Sequence, residues 1–83
     1  MNHLGTRWRG KIPIPNGAHP LVQALLRIAN NEMTTITEIA IKAGLERQTV
    51  SHWRYAHNPI LPNLEAAGGA LGYDLVWKKR EPK

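Results

Sequence analysis

Arg47, Gln48, Ser51 and His52 place four hydrogen-bonding side chains within a short stretch of the chain. A guanidinium can donate two parallel bonds to guanine O6 and N7, and a carboxamide can bracket adenine N6 and N7. A serine hydroxyl serves bases or phosphates equally. Between them stand Val50 and Trp53, three apart, which puts both apolar groups on one face of a helix. The spacing predicts a helix over 47–55, anchored by Val50 and Trp53, whose remaining surface carries Arg47, Gln48, Ser51, His52 and Arg54.

Such a helix has to be held from behind. Ile36, Ile39, Ala40 and Ala43 repeat at helical spacing, and Gly44 closes the run where a left-handed conformation is easiest for glycine. Thr35 followed three residues later by Glu38 matches a capping box. Leu45 and Glu46 alone separate this helix from the next. Two short helices joined by a tight glycine turn form the helix-turn-helix arrangement. Ala40 keeps the crossing close, and Leu45 fills the angle.

The flanking segments complete a small helical unit. From Pro20, the residues Leu21, Val22, Leu25, Leu26, Ile28 and Ala29 share a face, and Asn30 and Asn31 end the run. Pro20 suits a first helical turn, where its missing N–H costs least. A fourth helix fits 61–71, with Pro62 in its first turn, Leu61, Leu64, Ala67, Ala70 and Leu71 on one face, and Gly72 as the cap. Gly68 and Gly69 inside it each cost about 1 kcal/mol relative to alanine. Tyr73, Leu75 and Trp77 alternate with Asp74, Val76 and Lys78, the pattern of a half-buried strand. Residues 1–18 alternate Ile and Pro at 12–15 and read as an extended arm, leaving 19–83 as the folded domain.

Composition narrows the chemistry. The chain has 83 residues and a formal charge of +5, from eleven Lys and Arg against six Asp and Glu. That size allows one modest core. The excess sits at the ends: Arg7, Arg9 and Lys11 in the arm, and Lys78, Lys79, Arg80 and Lys83 at the close. A basic surface suits a polyanion, and it also keeps a small protein soluble. Cysteine is absent, which excludes disulfides, thiolate zinc sites and cysteine nucleophiles. His3, His19, His52 and His57 lack metal-ligand spacing, so neither metal nor cofactor is expected. Ser51 and His52 are sequence neighbours, pointing about 100° apart on a helix, and the single Asp74 lies on the expected distant strand. An enzyme is not expected. No apolar run approaches the roughly 20 residues of a membrane span. No apolar signal core follows the basic N-terminus. The sequence therefore reads as soluble and cytoplasmic, without a membrane partner.

Residues 36–55, ITEIAIKAGLERQTVSHWRY, resemble the helix-turn-helix window of the lambda repressor/Cro-like (XRE) family. The resemblance rests on Ile39-Ala40, Ala43-Gly44-Leu45, Thr49-Val50-Ser51 and Trp53. It extends through Asn58-Pro59, Asn63-Leu64-Glu65-Ala66-Ala67 and Ala70-Leu71-Gly72-Tyr73-Asp74-Leu75, which are similar to the closing helix and strand of phage-like members. It covers about residues 20–77. Two positions depart from the family pattern. Ile36 stands where Gln often helps hold a phosphate, and Glu46 where Ser or Thr often follows the turn. Glu46 serves either as an acceptor for cytosine N4 or simply as a helix N-terminal charge.

The resemblance implies a mostly α, four-helix lambda-repressor-like domain with an extended basic N-terminal arm and a short C-terminal β-strand. It implies sequence-specific binding of double-stranded DNA by a small phage- or prophage-like transcriptional regulator, with helix 47–55 in the major groove. By carry-over, Arg47, Gln48, Ser51 and His52 are the base-reading candidates. Thr35, Thr37, Lys42 and Arg54 are the backbone candidates. Arg7, Arg9 and Lys11 join them if the arm follows the minor groove rather than forming a solvated tail or an edge strand beside 73–78. One short helix reads few bases, so a homodimer is expected, joined through Leu75 and Trp77 or the edge of 73–78. Two other readings keep the same fold. One is an antitoxin whose apolar surface (Ile12, Ile14 or Val76) meets a toxin chain. The other is a protein-interaction adaptor that has lost DNA binding, for which Ile36 and Glu46 are the motive.

Overall fold

A computed structural model describes residues 11–81. The described chain forms four α-helices: α1 (Pro20–Asn31), α2 (Ile36–Ala43), α3 (Arg47–Ser51) and α4 (Leu61–Ala70). A 3₁₀ turn at His52–Tyr55 continues α3. The recognition-helix candidate is thus α-helical for only five residues and tightens after Ser51. Such tightening is common at helix C-termini. Here the Ser51 carbonyl accepts a bond from Arg54 Nε at 3.2 Å.

The helix ends follow from their sequences. His19 precedes Pro20 and caps α1, its Nδ1 accepting from the Leu21 N–H at 3.0 Å. Thr35 and Glu38 form the reciprocal capping box at α2: Thr35 Oγ1 accepts from the Glu38 N–H, and Glu38 Oε1 accepts from the Thr35 N–H. Three helices close with one motif. The N–H five residues on bonds back to a carbonyl in the last turn, at Thr34 to Ala29, Leu45 to Ala40 and Tyr73 to Gly68. The left-handed residue in these closures is Met33, Gly44 and Gly72 respectively.

One apolar cluster holds the elements together. Val22, Leu25, Leu26 and Ala29 of α1 meet Ile36, Ile39 and Ala40 of α2, Val50 of α3, Trp53, and Leu64 and Ala67 of α4. Trp53 is 2% exposed, so it is a core residue. α2 packs on both α3 and α4, and α1 packs on α4. Ala40 lies buried between neighbours, as a close crossing requires.

Two expectations need correction. First, the arm does not end its independence at residue 18. Ile12 and Ala18 are buried and Ile14 packs against the cluster. Asn30 grips Ile12 by both backbone groups: its Oδ1 accepts from the Ile12 N–H at 2.6 Å and its Nδ2 donates to the Ile12 carbonyl at 3.0 Å. Gln23 Nε2 donates to the Pro15 and Asn16 carbonyls. An alternating Ile-Pro segment thereby joins the core without becoming a strand. Second, no β-strand forms among the described residues. Residues 73–81 run on without turn or bend, and 74–81 find no backbone partner among the described residues. A strand needs a neighbouring ladder for its N–H and C=O groups, and the described residues offer none. Leu75 alone of the alternating set packs on the core; Tyr73 is half exposed and Trp77 fully so.

Candidate nucleic-acid interface

The capping box fixes where α2 begins, and the Gly44 turn (φ 73°) fixes how α3 leaves it. Together they bring the N-terminal turns of α2 and α3 side by side. A single bond records this: Arg47 Nε, first residue of α3, donates to Thr37 Oγ1, second residue of α2, at 2.8 Å. Nothing in the spacing of positions 37 and 47 announces that pairing; it depends on the angle of the turn. The Arg47 side chain is exposed and its terminal nitrogens stay open to an acceptor. Gln48 and His52, four apart, stand exposed beside it on one face. The His52 ring lies 5.6 Å from the ring of His57, tilted by 39°, so the following loop closes one end of the surface. His57 was not among the sequence candidates. Its stacking comes from the loop's path, which no local spacing encodes.

Ser51 departs from expectation. It is 7% exposed, not on the free face, and its Oγ accepts from Arg54 Nη2 at 2.7 Å. Helical geometry explains this. Positions 50 and 53 point at the core, and 51 lies on the edge that α3 turns inward. Arg54 is held by that bond, by the Ser51 carbonyl, and by stacking 5.1 Å over the Tyr55 ring. It is a half-buried brace.

The backbone candidates are dispersed. Thr35 spends its hydroxyl proton on Glu38 Oε1 at 3.2 Å and its lone pair on the Glu38 N–H, so it has no donor left for a phosphate. Thr37 keeps its own hydroxyl proton, because it accepts from Arg47. Lys42 is exposed, but it sits about 140° around α2 from Thr37, and the structure does not bring the two together. Lys11 is exposed at the start of the described chain, next to the anchored Ile12. Arg7 and Arg9 lie outside the described residues. Glu46 is exposed at the N-cap of α3 and makes no capping bond. Ile36 is buried in the core, so its apolar character serves packing. Of the apolar surface expected to meet a toxin, Ile12 is buried and Ile14 half-buried. Val76 is 79% exposed.

Comparison with protein-family models, curated proteins and solved structures returns no match. The functional reading therefore rests on this chain's own residues. Among the described residues, no three His, Asp or Glu groups gather to hold a metal ion, and no helix is long and apolar enough to cross a membrane.

What the surface can do follows from its groups. Arg47 supplies paired donors, Gln48 both a donor and an acceptor, and His52 a ring with two nitrogens. They project from the start of one short helix, with the Thr37 hydroxyl alongside. That set suits a ligand offering ordered hydrogen-bonding edges next to negative charge.

Proposed function

We propose that this chain is a sequence-specific double-stranded-DNA-binding regulator of transcription, built as a helix-turn-helix of the lambda repressor/Cro-like kind. The observation that carries the reading is the Arg47–Thr37 bond. It braces the first residue of α3 against the start of α2, and leaves Arg47, Gln48 and His52 exposed together. In this reading α3 enters the major groove, Arg47 addresses guanine and Gln48 adenine, and His52 contacts a neighbouring base edge. The Thr37 hydroxyl and the α2 N-terminus face a phosphate. Arg54 holds the end of α3 and Ser51 serves it there. The basic arm adds affinity without sequence preference. The +5 charge and the resemblance of residues 36–55 support the same reading.

Two copies reading two half-sites supply the specificity that one short helix lacks. The test is selection from random duplex DNA, with affinity followed against salt. A (pseudo)palindromic consensus and a steep salt slope are expected. No enriched sequence, with weak and salt-insensitive association, overturns the reading and favours the adaptor.

A further inference from the structure

His52 and His57 are the one pair of histidine rings that the fold brings together among the described residues, with centres 5.6 Å apart and planes tilted by 39°. In an unbroken helix, positions five apart would point about 140° away from each other. Here the 3₁₀ turn ends at Tyr55, and Ala56 takes a left-handed conformation (φ 66°) that returns residue 57 to the side of residue 52. Alanine seldom adopts that conformation, so the return is held by its surroundings rather than by local preference. The next residue shows one such hold: Asn58 Oδ1 accepts from the His19 N–H at 3.2 Å, which fixes the loop to the start of α1. Both histidines are exposed, and neither ring makes a hydrogen bond among the described residues.

We infer that His52 and His57 form a binding site for a divalent transition-metal ion, each giving one imidazole nitrogen. The separation of the rings carries the argument. With metal–nitrogen bonds of about 2.0–2.1 Å and each nitrogen about 1.2 Å from its ring centre, two imidazoles on one tetrahedral ion have their centres about 5.2 Å apart. The observed 5.6 Å needs only a small closing movement. Each ring offers two nitrogens, and an exposed imidazole turns readily about its last torsion. Side-chain rotation alone therefore aims one nitrogen of each ring at a shared ion. Two neutral nitrogens without a carboxylate favour Zn²⁺, Ni²⁺ or Cu²⁺ over Mg²⁺ and Ca²⁺, which take oxygen ligands. The remaining coordination positions stay open to water or an external donor. Arg54 is the one Lys or Arg between residues 48 and 60, and two of its nitrogens are bonded to Ser51. That keeps the nearest cation in sequence from swinging over the pair. An ion held there ties the end of α3 to the loop that Asn58 joins to α1. The inference goes beyond the DNA reading and does not depend on it.

The test titrates the full chain, stripped of metal, with Zn²⁺ while the histidine ring resonances are followed by NMR. The rings of His52 and His57 should shift together and saturate at an equimolar ratio, and Mg²⁺ and Ca²⁺ should leave both unmoved. His57→Ala should weaken Zn²⁺ binding by at least about tenfold, and so should His52→Ala. Both side chains are exposed, so the helical signal of each variant should be unchanged. His3→Ala, at a position outside the described residues, should leave the affinity as it was. No response up to about 1 mM Zn²⁺ overturns the inference. Binding that survives His57→Ala, or that disappears with His3→Ala, also overturns it, because the ion then sits elsewhere on the chain. A response confined to one of the two rings rules out the shared site. These measurements use no DNA, so they can succeed where the DNA reading fails, and the reverse.

Discussion

At the scale of single residues, Arg47, Gln48 and Ser51 divide into two kinds that the sequence could not separate. All three are polar and stand within one turn and a half, yet Arg47 and Gln48 are exposed while Ser51 is buried against Arg54. Substitutions should therefore have different consequences. Gln48→Ala should relax discrimination at one base position by about 1–3 kcal/mol and leave the melting temperature unchanged. Binding to a set of singly substituted duplexes measures this. Ser51→Ala should do the opposite. It removes a buried hydrogen bond and should lower stability by about 0.5–1.5 kcal/mol, with base preference intact. Thermal melts paired with the same duplex set separate the two. A loss of base discrimination in Ser51→Ala would return that residue to the reading surface. What was legible here was the presence of a polar face. What was hidden was its edge, because a shift of one residue around a helix of this length depends on how α2 seats it.

At the scale of elements, the helix boundaries were written locally and so could be read locally. Thr35 and Glu38 cap α2, Gly44 and Gly72 take the left-handed positions expected of them, and α1 stops after Asn31. Each depends on residues within five positions of one another. The same closure at α1 uses Met33 at φ 55°, where a side chain is strained. Met33→Gly should thus stabilise the domain by about 1 kcal/mol, read as a higher denaturant midpoint at unchanged slope. Gly69 differs again. A methyl added there meets nothing within 4 Å, and its backbone is helical. Close packing does not explain this glycine, and Gly69→Ala should gain about 0.5–1 kcal/mol by helix propensity. No strain relief is available at Gly44, where alanine should destabilise. The expected strand over 73–78 failed for the converse reason. Alternation specifies a strand only when a neighbour exists to pair with it, and the pattern of a segment does not contain its neighbour.

At the scale of the whole molecule, the question is where the folded unit stops and the purely electrostatic part begins. The sequence suggested residue 18, from the run of Pro and Gly. Asn30 moves the limit back to Ile12, whose backbone it grips twice and whose side chain joins the core. That long-range clasp joins positions eighteen apart, and no periodicity reports it. Two changes at the N-terminus should therefore behave as different physical perturbations. Removing residues 1–10 takes away Arg7 and Arg9 and leaves Ile12 seated. The melting temperature should hold, while the slope of log K against log salt falls by about 1.8 if both arginines neutralise phosphates. Asn30→Ala keeps every charge and removes both bonds to Ile12. It should lower stability by about 1–3 kcal/mol and leave the salt slope as it was. If removal of residues 1–10 unfolds the domain, the arm is structural from its first residues. If it leaves the salt slope unchanged, Arg7 and Arg9 never touch the phosphates, and the affinity must come from the face of α2 and α3 alone.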